Sequence, residues 1–125
     1  MPADLNIITG EVVDAAMKVH SALGPGLLES AYKACLAFEL ADRGLAVESE
    51  VPLPVTYREI KLNAAYRIDF IVADSVIVEV KAVEKILPVH RAQLLAYLKL
   101  SGKKLGLLLN FNVPRLKDGI TRLAN

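Results

Sequence analysis

The chain has no tryptophan, a single cysteine, and aromatic side chains at only 6% of its 125 positions. One cysteine, Cys35, excludes an internal disulfide and a Cys-based zinc site, and it suits a reducing, cytoplasmic setting. Long hydrophobic runs are also missing. The longest charge-free stretches, His20–Leu28 and Leu105–Pro114, are about ten residues and carry Gly, Pro or Asn, against roughly 20 for a bilayer span. Asp4 and the lack of a basic-then-apolar run predict that the N-terminus is not a secretory signal. There is no internal repeat, low-complexity tract or linker, so the expectation is one domain over residues 1–125.

Apolar residues are plentiful, at 54% against 23% charged. That excludes disorder as the main state and supplies a core buried on several sides. The net charge of +1 conceals an asymmetry. Residues 1–84 carry a net −6 and residues 85–125 a net +7. A basic C-terminal third can face phosphate, or Lys103, Lys104, Arg115 and Lys117 can simply keep an apolar chain soluble.

Periodicity predicts an order of elements. Thr9 is placed to cap a first helix running to Leu23, with Val12, Val13, Ala16, Met17 and Val19 at helical spacing. Gly24-Pro25-Gly26 stops it, and a second helix is expected from about Leu27 to Asp42, ended by Arg43-Gly44. β-like runs follow at Ala46–Val51, Val55–Tyr57, Ile60–Leu62, Tyr66–Val72 and Val76–Ala82. Pro52 and Pro54 imply an edge or bent strand, and Arg58-Glu59 a turn. Pro88–Leu100 reads as a helix, apolar nearly all round and so expected to be buried. Leu105–Phe111 reads as a central strand, and Leu116–Leu123 as a closing helix. Strand, helix and strand from Val76 to Phe111 predict a right-handed parallel crossover in a mixed sheet flanked by helices.

The hairpin Tyr66–Ala82 is the informative segment. With a three-residue loop at Ala73–Ser75, Val72 meets Val76 and Phe70 meets Val78. One face then carries Ile68, Phe70, Val72, Val76, Val78 and Val80. The other carries Ile71 and Ile77, then Asp69 opposite Glu79, then Arg67 opposite Lys81. Two carboxylates facing each other on an otherwise apolar strand pair repel. A divalent cation between them would answer that, with two carboxylates, waters and the Val80 carbonyl making a usual Mg²⁺ site. Lys81 points the same way, where an ammonium can hold an attacking water or offset phosphoryl charge. A solvated salt-bridge network of Asp69, Glu79, Arg67 and Lys81 is the other reading. Glu29 opens the second helix, where the dipole favours it. Gln93 and Tyr97 share one face of the apolar helix at i and i+4, and a buried Gln needs a partner.

Asp69 followed by Glu79-Val80-Lys81 resembles the D…(D/E)xK core of the PD-(D/E)XK nuclease superfamily. Gln93-Leu94-Leu95-Ala96-Tyr97 resembles the QxxxY element of its RecB-like branch, and Gly26-Leu27-Leu28-Glu29-Ser30-Ala31-Tyr32 the signature of the small GxxExxY family. Further elements run from Arg43-Gly44-Leu45 to Lys117-Asp118-Gly119-Ile120, so the resemblance spans essentially the whole chain. It implies a restriction-endonuclease-like αβββαβ core and a nuclease acting on DNA or, in second place, RNA, with Mg²⁺ or Mn²⁺. Asp69, Glu79 and the Val80 carbonyl would be metal ligands, Lys81 would act on the nucleophilic water, and Glu29 would be a further ligand or hold a metal-bound water. Gln93, Tyr97, Tyr32 and Arg67 would orient the site or touch substrate. His20 is a candidate metal ligand ahead of the hairpin, His90 a weaker one. A non-catalytic binding or assembly module of the same fold is the alternative, and a homodimer is expected under either.

Overall fold

The computed structural model describes residues 4–125. Helix α1 spans Leu5–Leu23. It starts one turn before Thr9 because Asp4 is the N-cap, its carboxylate accepting from Asn6 N at 2.8 Å. Thr9 is instead buried inside the helix. Helix α2 spans Glu29–Asp42, and Gly44, at φ +77°, takes the left-handed turn that follows it. Strands β1 (Val47–Tyr57) and β2 (Ile60–Val72) form one long hairpin around Arg58-Glu59. The four expected short runs are therefore two continuous strands. The prolines do not break β1 because it is an edge strand, and the pairing merely shifts register between Leu53 and Val55.

Strand β3 (Val76–Lys81) pairs antiparallel with β2, and α3 (Pro88–Ser101) crosses to β4 (Leu105–Asn110), which lies parallel to β3. The chain ends with a single 3₁₀ turn (Leu116–Gly119) and β5 (Ile120–Ala124). The closing helix expected over Leu116–Leu123 is thus corrected to a strand. The outer edge of β4 would otherwise leave its backbone unpaired, and β5 satisfies it through pairs such as Leu109/Ile120. The result is a five-stranded mixed sheet in the order β1-β2-β3-β4-β5, with α1 and α2 on one face and α3 on the other.

Two cores sandwich the sheet. One packs α1 and α2 on Phe70, Val72, Val76, Val78, Val80, Leu107 and Leu109. The other packs Leu94, Tyr97 and Leu98 of α3 on Leu53, Ile68, Ile71, Ile77 and Leu108. β4 is buried on both faces, as its unbroken apolar run requires, and β3 is buried as well although Glu79 and Lys81 interrupt its apolar residues. Helix α3 buries only one side, contrary to the expectation of full burial, since it meets a single sheet face and leaves Val89 and Leu100 exposed. Gly106 explains how closely it approaches: a Cβ there would lie 2.8 Å from Leu94 Cδ1.

Candidate active site

The hairpin loop is the expected Ala73–Ser75, with Val72 facing Val76 and Phe70 facing Val78. The ladder ends at that second pair. Beyond it the strands part, and Asp69 and Glu79 use the gap. Asp69 N donates to Glu79 Oε2 at 2.7 Å, and Val80 N donates to Asp69 Oδ2 at 2.9 Å. Each side chain accepts a backbone N–H from the other strand, so two carboxylates replace ladder bonds. The break also shifts the alternation. Ile68 packs with Ile71 and Ile77 beneath α3, not with Phe70 on the opposite face as the regular pattern implies. Across β2, Glu50 stands between the pairs Ser49/Phe70 and Val51/Ile68 with a left-handed φ of +52°.

Both acids are nearly out of solvent, Asp69 at 9% and Glu79 at 4% exposure. Burial, and then the neighbouring Asp69 charge, push Glu79 up to about 8, with partial relief from the Asp69 N–H, Lys81 and Lys33. Lys33 of α2 places Nζ 3.0 Å from Asp69 Oδ1 and 2.6 Å from Glu50 Oε1. Partial burial opposes its charge, but the bonds to Glu50 and Asp69 hold its pKa well above the ordinary lysine value.

Lys81 Nζ lies 3.4 Å from Gln93 Oε1, so the glutamine on α3 has the polar partner its apolar helix demands. One turn on, Tyr97 is buried, its ring 6.3 Å from that of Tyr66. Burial and then the charges of Glu79 and Asp69 raise its pKa. The structure therefore gathers Asp69, Glu79, Lys81, Gln93 and Tyr97 around the gap. Glu29 sits on the first turn of α2, four residues before Lys33, and so on the same helical side.

Tyr32 is fully buried, stacked on Phe111 at 4.7 Å. Its hydroxyl donates to Gly24 O at 2.6 Å and accepts from Leu27 N at 3.1 Å, tying down the loop that leads to Glu29. Arg67 pairs with Pro52 of β1, lies past the end of the β2–β3 ladder and so is not paired with Lys81 as expected, and is exposed. His20 is buried with Nε2 2.8 Å from Val113 O, which makes that nitrogen the N–H donor. His90 closes the start of α3, its Nδ1 accepting from Leu87 N at 2.9 Å.

Sequence reasoning missed Lys33, Glu50 and the anchoring role of Asn110. Lys33 had a signal, being one turn beyond Glu29; Glu50 depends on a local bend that has none. Asn110 ends β4 beside Lys81. Its amide accepts from Val83 N and Asn112 N and donates to Val83 O, clamping the segment that follows Lys81.

Among the described residues, no three His, Cys, Asp or Glu groups lie close enough together to hold an ion. The donor set at the gap is two carboxylates with backbone oxygens nearby, which suits a hard, water-carrying cation such as Mg²⁺. Burial and then the Asp69 charge raise the pKa of Glu79, and a cation would offset the charge part of that penalty. By these criteria the residues fit a divalent ion.

A mixed sheet flanked by helices, with an acid pair and a lysine where its central hairpin parts, is a restriction-endonuclease-like architecture. A family model described as the PD-(D/E)XK nuclease superfamily matches residues 6–123, and the chain belongs to that superfamily. Its members are generally hydrolytic nucleases and typically use divalent metals. Neither the curated proteins nor the solved structures contain a match. No helix among the described residues is long and apolar enough to cross a membrane.

Proposed function

We propose that this protein is a divalent-metal-dependent nuclease of the GxxExxY group, hydrolysing phosphodiester bonds of DNA and, in second place, RNA, in the cytoplasm. The observation that carries the reading is the crosswise pair at the parted hairpin: two buried carboxylates, bonded to each other's strands, beside the Lys81 ammonium. Two backbone N–H groups and Lys33 offset only part of the charge of this buried pair, whose mutual repulsion still costs stability. Mg²⁺ or Mn²⁺ held by Asp69, Glu79 and the Val80 carbonyl would supply Lewis acidity at the phosphoryl oxygen and the leaving 3′-oxygen.

The protein's own groups do the rest. Lys81, steadied by Gln93, orients the attacking water in line with phosphorus and offsets charge that develops on the phosphoryl oxygens. Tyr97 excludes water behind it. Glu29, on the same side of α2 as Lys33, would accept a hydrogen bond from water carried by the ion. Arg67, exposed two residues before Asp69, takes a neighbouring substrate phosphate. The Val113 carbonyl takes the Nε2–H of His20, so any ligand role for this histidine falls to Nδ1.

The test is cleavage of single-stranded, duplex and branched DNA and of RNA in Mg²⁺ or Mn²⁺, beside Asp69→Ala. Cleavage that disappears in the variant supports the enzyme. No cleavage, together with no uptake of Mn²⁺ by calorimetry, leaves a binding module of this fold.

The same protein is inferred to act as a homodimer. The β1–β2 hairpin runs beyond its contact with β3, and its α3-side stripe of Val55, Tyr57, Ile60, Leu62 and Tyr66 continues past the core. Tyr57 is 65% and Leu62 48% exposed. A groove of about 340 Å³ between Tyr66, Ala96, Tyr97 and Leu100 lies alongside. With Ala96 and Leu100 on the exposed side of α3, between Arg91 and Lys99, this makes an apolar surface with a charged rim, the make-up of a dimer interface. A second copy can lay its arm there about a two-fold axis. A sedimentation mass near twice 13.6 kDa, halved by Leu62→Glu, is the expected result; a monomeric wild type overturns it.

A further inference from the structure

The ammonium of Lys33 lies where a bound cation would need to act. It is within 3.0 Å of Asp69 Oδ1, the oxygen left free once Oδ2 has accepted from Val80 N. It also reaches a second carboxylate, Glu50 Oε1, at 2.6 Å. The two acids differ in setting. Asp69 is buried beside Glu79, whereas the side chain of Glu50 is about half exposed. Glu50 arrives there through a left-handed backbone conformation, which is strained for a non-glycine residue. Lys33 itself is on a helix, with a four-carbon stem long enough to pivot about Glu50 without the helix moving.

We propose that Lys33 is a resident counter-cation that competes with the metal for Asp69. In the metal-free protein it neutralises Asp69 and keeps the carboxylate pair together. When a divalent ion binds, the ammonium gives up Asp69 Oδ1 and stays with Glu50 alone. Glu50 is then the acceptor that makes the exchange possible, and the two residues set metal affinity without being ligands. The inference rests on the reading of Asp69 and Glu79 as the metal site. It assigns positioning roles to two residues outside the D…ExK and QxxxY elements.

The two residues predict opposite effects, which a merely structural role does not. Removing the competitor in Lys33→Met keeps the stem and should tighten Mn²⁺ binding on the order of tenfold. Removing the acceptor in Glu50→Gln leaves Lys33 with Asp69 as its only anion and should weaken Mn²⁺ binding several-fold. Isothermal calorimetry with Mn²⁺ on the full chain reads both, and thermal melts in chelator and in Mn²⁺ give a second readout. Lys33→Met should melt lower than wild type in chelator and gain more from Mn²⁺. Equal or weaker Mn²⁺ binding by a folded Lys33→Met overturns the proposal while leaving the metal site standing. Should Lys33→Met fail to fold, Glu50→Gln decides alone, and unchanged or tighter binding there overturns it. A wild type that takes up no Mn²⁺ at millimolar concentration overturns the metal reading, and this proposal with it.

Discussion

Replacing Glu79 by Gln should alter how the stability of the metal-free protein depends on pH. Glu79 is 4% exposed, and burial with the Asp69 charge raises its pKa from 4.5 to about 8. In the unfolded chain the group loses its proton near the lower value; in the native state it holds the proton to the higher one. Between them the native state binds more protons, so stability falls as pH rises. Below the lower value both states are protonated and the penalty vanishes; above the higher one it is complete. At about 1.36 kcal/mol per unit, the window sets a ceiling of about 5 kcal/mol. Water entry and movement of Lys33 and Lys81 reduce this to about 2–3 kcal/mol. A Gln carbonyl still accepts the Asp69 N–H but does not titrate. At about 4 °C per kcal/mol for a domain of this size, Glu79→Gln should melt with wild type near pH 5 and about 10 °C above it near pH 8.5. The assay is circular-dichroism melting from pH 4.5 to 9 in chelator. A Tm difference that does not change with pH refutes the reasoning. Added Mn²⁺ should narrow the gap at high pH, because the ion stabilises only the ionised wild-type pair.

Three substitutions test the scaffold around the gap. Tyr32→Phe removes a hydroxyl bonded to Gly24 O and Leu27 N and should cost about 1–3 kcal/mol in urea unfolding, loosening the approach to Glu29. Asn110→Ala leaves the backbone of Val83 and Asn112 without partners, for a loss of about 3 kcal/mol by the same measurement. Gly106→Ala drives a methyl into Leu94 and should cost about 1–3 kcal/mol, with weaker coupling of Gln93 to Lys81 as α3 lifts; an unchanged urea midpoint would count against the close approach.

Regular repeats made much of the architecture legible. Helical spacing located α2 and α3 to within two residues, and Gly44 marked the end of α2; Gly102 caps α3 in the same way, both at positive φ. The unbroken apolar run of β4 announced a strand with two buried faces, and the helix between β3 and β4 required a parallel crossover. Errors arose where a neighbour decided the outcome. Leu116–Leu123 has enough apolar residues for a helix, yet the open edge of β4 draws Ile120–Ala124 into the sheet. The apolar α3 suggested burial all round, but the sheet offers it one face. Thr9 looked like a cap because Asp4, one turn earlier, offers the same chemistry.

The alternation of Tyr66–Lys81 put Asp69, Glu79 and Lys81 together before any coordinates, because a strand's period of two and a three-residue loop leave little freedom. Local covalent geometry alone carried that much. The rest belongs to tertiary structure: that the strands part at Phe70/Val78, that each acid takes the other strand's N–H, and that Lys33 and Glu50 close around Asp69. Those contacts join α2, β1, β2 and β3, segments up to 47 residues apart in the chain, and no pattern within one segment encodes the distance between two others. Burial, which sets the pKa of Glu79 and the value of every charge beside it, exists only once those segments have packed.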